Sequence, residues 1–421
     1  MLPRNVARVV TLMSSAAWLV ACGSGTDAAS PNELPPTPGP FTEIASPAGV
    51  GSETPHLAAS ESRGPILSWL EPSADGDDEG DVDSYVLNFS RLDGEAWSEP
   101  VTVVERSDLF VNWADFPSVI ELGDQRLAAH WLQYNGAGTY AYQVRLAFSS
   151  DGGITWSEGL VPHENVTETE HGFVSLVPAG DEVEVFWLDG RDYANGLDSA
   201  VMSFRHVVVA GDGSVGEESL LDARTCDCCQ TSVAPIPGGL IAAYRGRTTG
   251  EIRDIYVVRR LDGVWQAPTL VHADGWYIPA CPVNGPEIVA TGADVRVAWF
   301  TVAADSGRVY AAVSNDAGAT FGPRIRIDEG RPIGRVGTLA LSDGRTLVSW
   351  LEAAGDGEGA EVRARIINSA GQTSPSVPVG TSSIARASGF PVLTLDGERV
   401  IVAWTDPDEN RVRVAVGWVG D

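Results

Sequence analysis

Apolar stretches that end in an aromatic residue recur along the chain at regular intervals. Residues 66–71 (ILSWLE) and 400–405 (VIVAWT) are two of them. The aromatic positions are 51 to 62 residues apart, at Trp69, Trp131, Trp187, Tyr244, Trp299, Trp350 and Trp404. A repeat period near 50 residues predicts the blades of a propeller or the turns of a solenoid.

Each repeat contains the same order of short segments. A short apolar strand, such as residues 391–395, precedes a turn of Gly and Asp, and the aromatic-ended strand follows. An alternating strand such as residues 412–416, another turn and an outer strand complete the unit. Alternating apolar and polar positions between turn residues predict strands throughout residues 41–421.

The seventh repeat stops after its third strand, and the start of the domain offers the missing strand. We expect residues 41–46 (FTEIAS) to pair with the last blade, which would close the ring and cover exposed strand edges. The predicted fold is therefore an all-β propeller over residues 41–421. Seven four-stranded blades are expected, with six as the alternative.

Two turns share the pattern S-x-D-x-G-x-T-[WF]. They consist of Ser149, Asp151, Gly153, Thr155 and Trp156, and of Ser314, Asp316, Gly318, Thr320 and Phe321. The aspartate can accept hydrogen bonds from its own turn, and glycine allows a positive φ. These turns resemble the Asp boxes of sialidase-type (BNR-repeat) β-propellers, where the box is a structural turn away from the catalytic face. The resemblance implies the fold, and only weakly the function.

The resemblance extends to almost none of the sialidase catalytic set. In that family an arginine triad binds the substrate carboxylate, a Tyr paired with Glu is the nucleophile, and an Asp is the acid/base. The family's first arginine is near the domain start, where this chain has residues 54–57 (TPHL). Residues that could still contribute are Arg191, Arg245, Arg247, Arg386, Tyr244 and Asp189. We expect a binding module, with a glycoside hydrolase or a scaffold for envelope complexes as alternatives.

Loops before the first strands and after the second strands of a propeller lie on one face. Polar and aromatic residues at these positions are candidate site residues. They are His56, Trp113, Asp115, His171, Cys228, Cys229, Cys281, Asn284, Arg335 and Arg386, with Glu71, Tyr134, Asp189, Arg191, Arg245, Arg247, Glu352 and Asp406. Tyr193, Tyr244 and Tyr277 are further tyrosines near the face.

Four cysteines provide the most specific signal for a site. Cys226, Cys228 and Cys229 precede the first strand of blade four, and Cys281 precedes that of blade five, so we expect them to be neighbours. In an oxidising compartment they would form disulfides, with Cys281 bonded to Cys228 or Cys229. Alternatively, their thiolates bind a metal, with copper favoured over zinc and His171 as a nitrogen ligand.

The nearby hairpin carries the charged residues Arg245, Arg247, Glu251, Arg253 and Asp254. Two interpretations stay open: an ion-pair network that braces the cysteine loop, and an ordinary exposed hairpin. The acidic run 75–81 resembles a calcium loop in composition but lacks the ligand spacing.

The first residues are typical of an export signal. Arg4 and Arg8 precede an apolar stretch, and residues 19–22 (LVAC) resemble a bacterial lipobox. We therefore expect a signal peptide over residues 1–21, a lipid on Cys22, and a Pro-rich tether over residues 22–40. The predicted location is the bacterial envelope, with the outer membrane favoured.

Charge narrows the range of partners. The formal net charge is −29 with a pI near 4.4, which argues against nucleic acid and against charge-driven binding to anionic lipid. The expected partners are the membrane, through the lipid, and a glycan or protein ligand. We expect a monomer.

Overall fold

A computed structural model describes residues 34–60, 63–73, 84–197, 200–355 and 357–419 of the chain. The predicted signal peptide, Cys22, most of the tether and the acidic run 75–81 lie outside the described residues. Within the described ranges, no helix has the length and apolar character needed to cross a membrane.

The described strands form seven antiparallel sheets, which are the blades of a propeller. The first strand of every sheet contributes residues to one central cavity. The expectation of seven blades is therefore confirmed.

The strand bounds follow the predicted order within each blade. From blade one to blade seven, the first strands are Glu53–Ala58, Ser118–Gly123, His171–Ala179, Ser232–Ile236, Glu287–Thr291, Pro332–Ala340 and Val392–Asp396. The second strands are Ile66–Pro72, Arg126–Tyr134, Glu182–Asp189, Gly239–Arg245, Asp294–Thr301, Thr346–Ala353 and Arg399–Asp406. The third strands are Tyr85–Asp93, Tyr142–Ser149, Met202–Ala210, Ile255–Leu261, Arg308–Ser314, Ala360–Ile367 and Arg411–Trp418.

The outer strands are shorter and less regular. They are Ala96–Trp97 with Val101–Arg106 in blade one, Ser219–Thr225 in blade three, Val264–Trp265 with Thr269–His272 in blade four, Ile325–Arg326 in blade five, Val377–Ser382 in blade six and Thr42–Ile44 in blade seven. In blade two, an isolated bridge between Leu146 and Leu160 takes this place. Among the described residues, three 3-10 helices lie in loops, at Arg191–Asn195, Ala303–Asp305 and Arg386–Ser388.

The N-terminal strand closes the ring, as predicted. Thr42 pairs with Val416 and Ile44 with Val414, so Thr42–Ile44 is the fourth strand of blade seven. Ahead of it, the backbone N–H of Gly39 donates to the carbonyl of Trp418 at 2.8 Å. The first and last parts of the domain therefore share one sheet, which leaves no open end between the first and last blades.

All seven recurrent aromatic residues lie in second strands and are at most 5% exposed. In three blades the indole N–H donates to an acidic side chain two residues further along, at 2.6 to 2.9 Å; the pairs are Trp69–Glu71, Trp187–Asp189 and Trp350–Glu352. A buried indole needs such a partner, because an unpaired N–H would offset part of the stabilisation from burying the ring. These acids, assigned to the face loops from sequence, accept hydrogen bonds from the core.

The two Asp boxes have the same hydrogen bonds. In the second, Asp316 accepts from the backbone N–H of Thr320 at 2.9 Å and from its hydroxyl at 2.6 Å, and Ser314 Oγ accepts from the N–H of Gly318 at 2.9 Å. In the first, the corresponding distances are 2.9, 2.6 and 2.9 Å. A Cβ on Gly318 would lie 2.1 Å from Ile241 of the preceding blade, so the glycine also permits close packing between blades.

Candidate functional site

The structure brings the cysteines together, as predicted. The Sγ atoms of Cys226, Cys228 and Cys229 all lie within 4.8 Å of one another. The fourth thiol, Cys281, comes from the loop before blade five and interacts electrostatically with Cys228. All four are free thiols in this structure. We call these four residues the cysteine cluster.

Cys226 is the anionic centre of the cluster. Its side chain is fully buried, which alone would raise the pKa of the thiol. Hydrogen bonds from Cys228 and Cys229 and the positive charges of Arg253 and Arg245 oppose burial and lower this pKa well below its usual value. The Nη1 of Arg253 lies 3.5 Å from the sulfur. The fold therefore stabilises a negatively charged sulfur before any ligand binds.

The other thiols differ from Cys226 in protonation. Hydrogen bonds with the three neighbouring sulfurs raise the pKa of Cys228, and burial raises the pKa of Cys229. A hydrogen bond from Cys228 lowers the pKa of the exposed Cys281 thiol, although partial burial opposes this effect. The cluster thus combines thiol donors with thiolate acceptors.

Of the two interpretations of the hairpin, the structure supports the ion-pair network, although Arg245 donates to backbone carbonyls instead of joining it. Asp227, between the first two cysteines, accepts from Arg247 Nη1 at 2.8 and 3.0 Å. Glu251 binds Arg247 at 2.8 Å and Arg253 at 3.0 Å. The charges join both sides of the hairpin to the loop, and the backbone N–H of Cys226 donates to the carbonyl of Arg245 at 2.9 Å.

Arg245 uses its guanidinium to fasten three backbone segments. It is 2% exposed and donates to the carbonyl oxygens of Asn284, Arg253 and Phe300 at 2.7 to 2.9 Å. Its guanidinium also lies 4.8 Å from the ring centroid of Trp276. Asn284 is three residues after Cys281. Arg245 therefore links the two cysteine-bearing loops, because its own carbonyl accepts from Cys226 and its guanidinium donates to Asn284.

His171 lies in a separate buried cluster with His163. The two imidazoles stack with centroids 4.4 Å apart, and His171 Nδ1 is 2.9 Å from the carbonyl oxygen of Thr169. Its Nε2 lies 3.3 Å from Asn165 Oδ1 and 3.8 Å from Asp189 Oδ2. Both ring nitrogens of His171 therefore face partners in blade three and in the loop before it. The group of potential metal ligands consists of the three cysteine sulfurs and does not include His171.

The other proposed catalytic residues are also engaged in pairs. Asp189 accepts two hydrogen bonds of 2.7 Å from Arg191, which also binds Glu218 at 2.7 Å. Tyr244 is fully buried and donates to Asp222 at 2.5 Å. Burial raises the pKa of Tyr244 and the Asp222 charge raises it further, so this phenol stays protonated.

Arg386, by contrast, lies beside an aromatic side chain at the centre of the face. Its guanidinium is 5.8 Å from the ring centroid of Trp113, and that of Arg335 is 4.9 Å from the same centroid. Arg335 is 4% exposed and donates to the carbonyls of Gly389 and Ala385 at 3.1 and 3.3 Å. Burial and, to a smaller extent, the charge of Arg386 together lower the pKa of Arg335 to about 10.

The central cavity measures about 220 Å³ and is lined by polar side chains, including His56, Asp115, His130 and Glu287. Burial lowers the pKa of His56 to about 4 and that of His130 to about 3, so both are neutral at pH 7. Burial raises the pKa of Glu287 to about 7 despite a hydrogen bond from Ser232. The cavity therefore favours the neutral forms of the titratable side chains that line it.

Sequence reasoning missed a buried network that extends from this cavity to the face. Tyr142 Oη lies 2.7 Å from Asp115 Oδ2 and 2.9 Å from Glu170 Oε1. A phenol has one proton to donate, so both contacts are hydrogen bonds only when one carboxyl group is protonated. Burial raises the pKa of Asp115 to about 7 and that of Glu170 to about 8. Of its members, Asp115 was among the candidates named from the sequence, whereas Tyr142 and Glu170 were not.

Comparison with known proteins gives independent support for the fold. No protein-family profile and no curated protein matches the chain. The solved structure of polysaccharide lyase Uly1 superposes with a TM-score of 0.51 at 10% identity, covering 90% of this chain and 92% of that one. This likeness establishes the fold.

Two further solved structures are similar over most of the chain. One is the Penicillium chrysogenum alpha-L-arabinanase complexed with arabinobiose, with a TM-score of 0.47, 14% identity, and coverage of 91% of this chain and 98% of that one. The phage phi92 endosialidase has a TM-score of 0.48, 9% identity, and coverage of 91% and 70%. The propeller fold predicted from the sequence is confirmed by its seven sheets and by the likeness to Uly1.

Proposed function

We propose that this propeller is a binding protein for a soft metal ion, with Cu(I) as the favoured ion and the cysteine cluster as its site. The observation that carries the proposal is the convergence of Cys226, Cys228 and Cys229, whose Sγ atoms lie within 4.8 Å of one another. With metal–sulfur bonds of about 2.3 Å, sulfurs that share one ion are about 4 Å apart. Small side-chain movements would complete such a site.

The arrangement favours a metal over two disulfides. A disulfide requires one pair of sulfurs in contact, whereas here three sulfurs lie within 4.8 Å of one another. Cys228 also interacts with all three other cysteines, as expected for a shared centre. Oxidation to a Cys228–Cys281 and a Cys226–Cys229 bond is the competing state, and the experiment below distinguishes it.

Coordination number and charge favour Cu(I) over Zn²⁺. Structural zinc takes four ligands in a tetrahedron, and soft thiolates also select Cu(I). Among the described cysteines, three sulfurs lie within 4.8 Å of one another. The fourth cysteine, Cys281, is exposed and lies in another loop. Three thiolates around Cu(I) have a net charge of −2, which the buried Arg245 and Arg253 offset.

A metal titration tests the proposal. The full chain with Cys22→Ser, reduced and kept free of oxygen, should bind one Cu(I) by native mass spectrometry. Cys229→Ser should lower the affinity at least a hundredfold, because it removes a buried ligand. Ser203→Ala, which removes a buried hydroxyl group in blade three, is the control and should leave the copper affinity unchanged. Absence of copper binding, with disulfides mapped in the purified chain, would contradict the proposal.

A second candidate function is recognition of an acidic glycan. As an enzyme, the protein would cleave the bound glycan by hydrolysis or by elimination. The supporting observation is the group of Trp113, Arg335 and Arg386, in which two guanidiniums share one indole. A sugar carboxylate would offset their charge, and the indole offers a surface for the sugar ring. Calorimetry with glucuronate-containing oligosaccharides tests this: Arg386→Met should weaken binding at least tenfold, and Arg126→Met should not. No binding by the unmodified chain would eliminate this candidate.

We also propose that a lipid on Cys22 anchors the protein in the bacterial envelope, at the outer membrane. The lipobox-like residues 19–22 support this. Cys22→Ser should move the protein from the membrane fraction to the soluble fraction of the producing cell. Continued membrane association of that variant would contradict the anchor.

A further inference from the structure

The four thiols of the cysteine cluster differ sharply in exposure. Cys226 and Cys229 are 0% and 1% exposed, Cys228 is half-buried, and Cys281 is exposed. Cys281 interacts electrostatically with Cys228, whose sulfur lies within 4.8 Å of the sulfurs of the buried Cys226 and Cys229. Exposure thus decreases from Cys281 through Cys228 to the buried pair.

The other sides of the cluster are covered by protein. Arg253 Nη1 lies against the Cys226 sulfur at 3.5 Å, and the Cys226 N–H is held by the Arg245 carbonyl. Beyond Cys229, the Gln230 side chain donates to the Ala114 carbonyl at 2.6 Å. Of the four cysteines, Cys281 is therefore the one most accessible to an incoming ligand.

Cu(I) moves between sulfur sites by ligand exchange, in which an incoming thiolate binds before an outgoing one leaves. We propose that Cys281 is the exchange thiol of this site, and that its partner is a Cu(I) carrier that presents thiolate ligands. The inference rests on the proposed copper function. It adds a route for the ion and a chemical class for the partner.

The transfer balances without any change of oxidation state. A bond forms between Cu(I) and the Cys281 sulfur as the first carrier sulfur–copper bond breaks, and the Cys281 proton passes to that released carrier thiolate. Cys226, as a thiolate, and Cys228 then bind the ion; the bond to Cys281 breaks, and the Cys228 proton passes to the released Cys281 thiolate. Cys229 binds as the second carrier sulfur–copper bond breaks, and its proton passes to the second released carrier thiolate. Release to an acceptor follows the same steps in reverse.

Loading kinetics test this assignment. Cu(I)–glutathione is mixed with the reduced chain carrying Cys22→Ser, and thiolate-to-copper absorption is followed by stopped flow. Cys281→Ser should retain one Cu(I) with an equilibrium affinity within about threefold of the parent. Its loading rate should fall at least tenfold, because the carrier must then reach the half-buried Cys228. Cys281→Ala should behave alike, and circular dichroism checks the fold of both variants.

The outcomes separate the two proposals. Copper binding by the parent with an unchanged or faster rate in Cys281→Ser would overturn the exchange role and leave the copper site intact. An affinity loss in Cys281→Ser as large as that in Cys229→Ser would make Cys281 a permanent ligand, which also overturns it. If the parent binds no copper, both proposals fail.

Discussion

Replacing Arg245 by Met should destabilise the domain and disturb the cysteine cluster together. The change removes four N–H···O contacts and leaves the carbonyls of Asn284, Arg253 and Phe300 without this donor. At about 1 kcal/mol for each buried carbonyl, the expected loss is about 3 kcal/mol. The methionine still covers Trp276, so the packing loss is small.

Urea unfolding followed by tryptophan fluorescence at pH 7 measures this loss. Arg126→Met is the matched control, because Arg126 pairs with an Asp181 side chain that is 80% exposed, and its loss should stay within about 0.5 kcal/mol. The same Arg245→Met protein should bind Cu(I) more weakly, since Asn284 and the cysteine loops lose their common anchor. A loss below about 1 kcal/mol would refute the view that Arg245 is a structural tie.

Three further predictions concern other parts of the fold. Glu287→Gln should raise stability at pH 8 by about 1–3 kcal/mol, because burial raises the folded-state pKa from 4.5 to about 7. As the pH rises, Glu287 therefore ionises in the unfolded chain before it ionises in the folded chain. The gain in stability should largely vanish at pH 4.5, where the group is mostly protonated in the folded chain. An equal gain at both pH values in urea titrations would contradict the raised pKa of Glu287. Ala317→Gly should stabilise the second Asp box by about 0.5–1 kcal/mol, because Ala317 has φ 55° where the first box has Gly152; calorimetric destabilisation would count against it. Deleting residues through Ile44 should cost about 2–4 kcal/mol and promote association, because it exposes the edge of blade seven; unchanged unfolding and a monomeric sedimentation profile would disprove the closure argument.

Much of the fold was accessible from the sequence because its determinants are local and repeated. Each blade needs an apolar second strand, and the aromatic residue at its end fills the space between sheets. The Asp box is a self-contained turn whose bonds join residues two to four apart, so its pattern survives in sequence. The proximity of Cys226 and Cys281 followed from topology, because loops before adjacent first strands lie next to each other.

The directions of side chains were not accessible, because they depend on contacts between blades. His171 begins a first strand on the predicted face, yet a bulge between Gly172 and Ser175 and the stacked His163 place it in another cluster. Arg245 ends a second strand but turns inward to carbonyls from blade five. Tyr142 meets acids from two different loops, a contact that no spacing along the chain encodes.

The most direct test of the central claim is the X-ray absorption spectrum of the copper-loaded chain at the copper K-edge. The account predicts Cu(I) bound by three sulfur atoms at about 2.3 Å, with fewer sulfur neighbours in Cys229→Ser. A first shell of nitrogen or oxygen, or an unchanged three-sulfur shell in Cys229→Ser, would contradict the assignment of the cysteine cluster as a copper site.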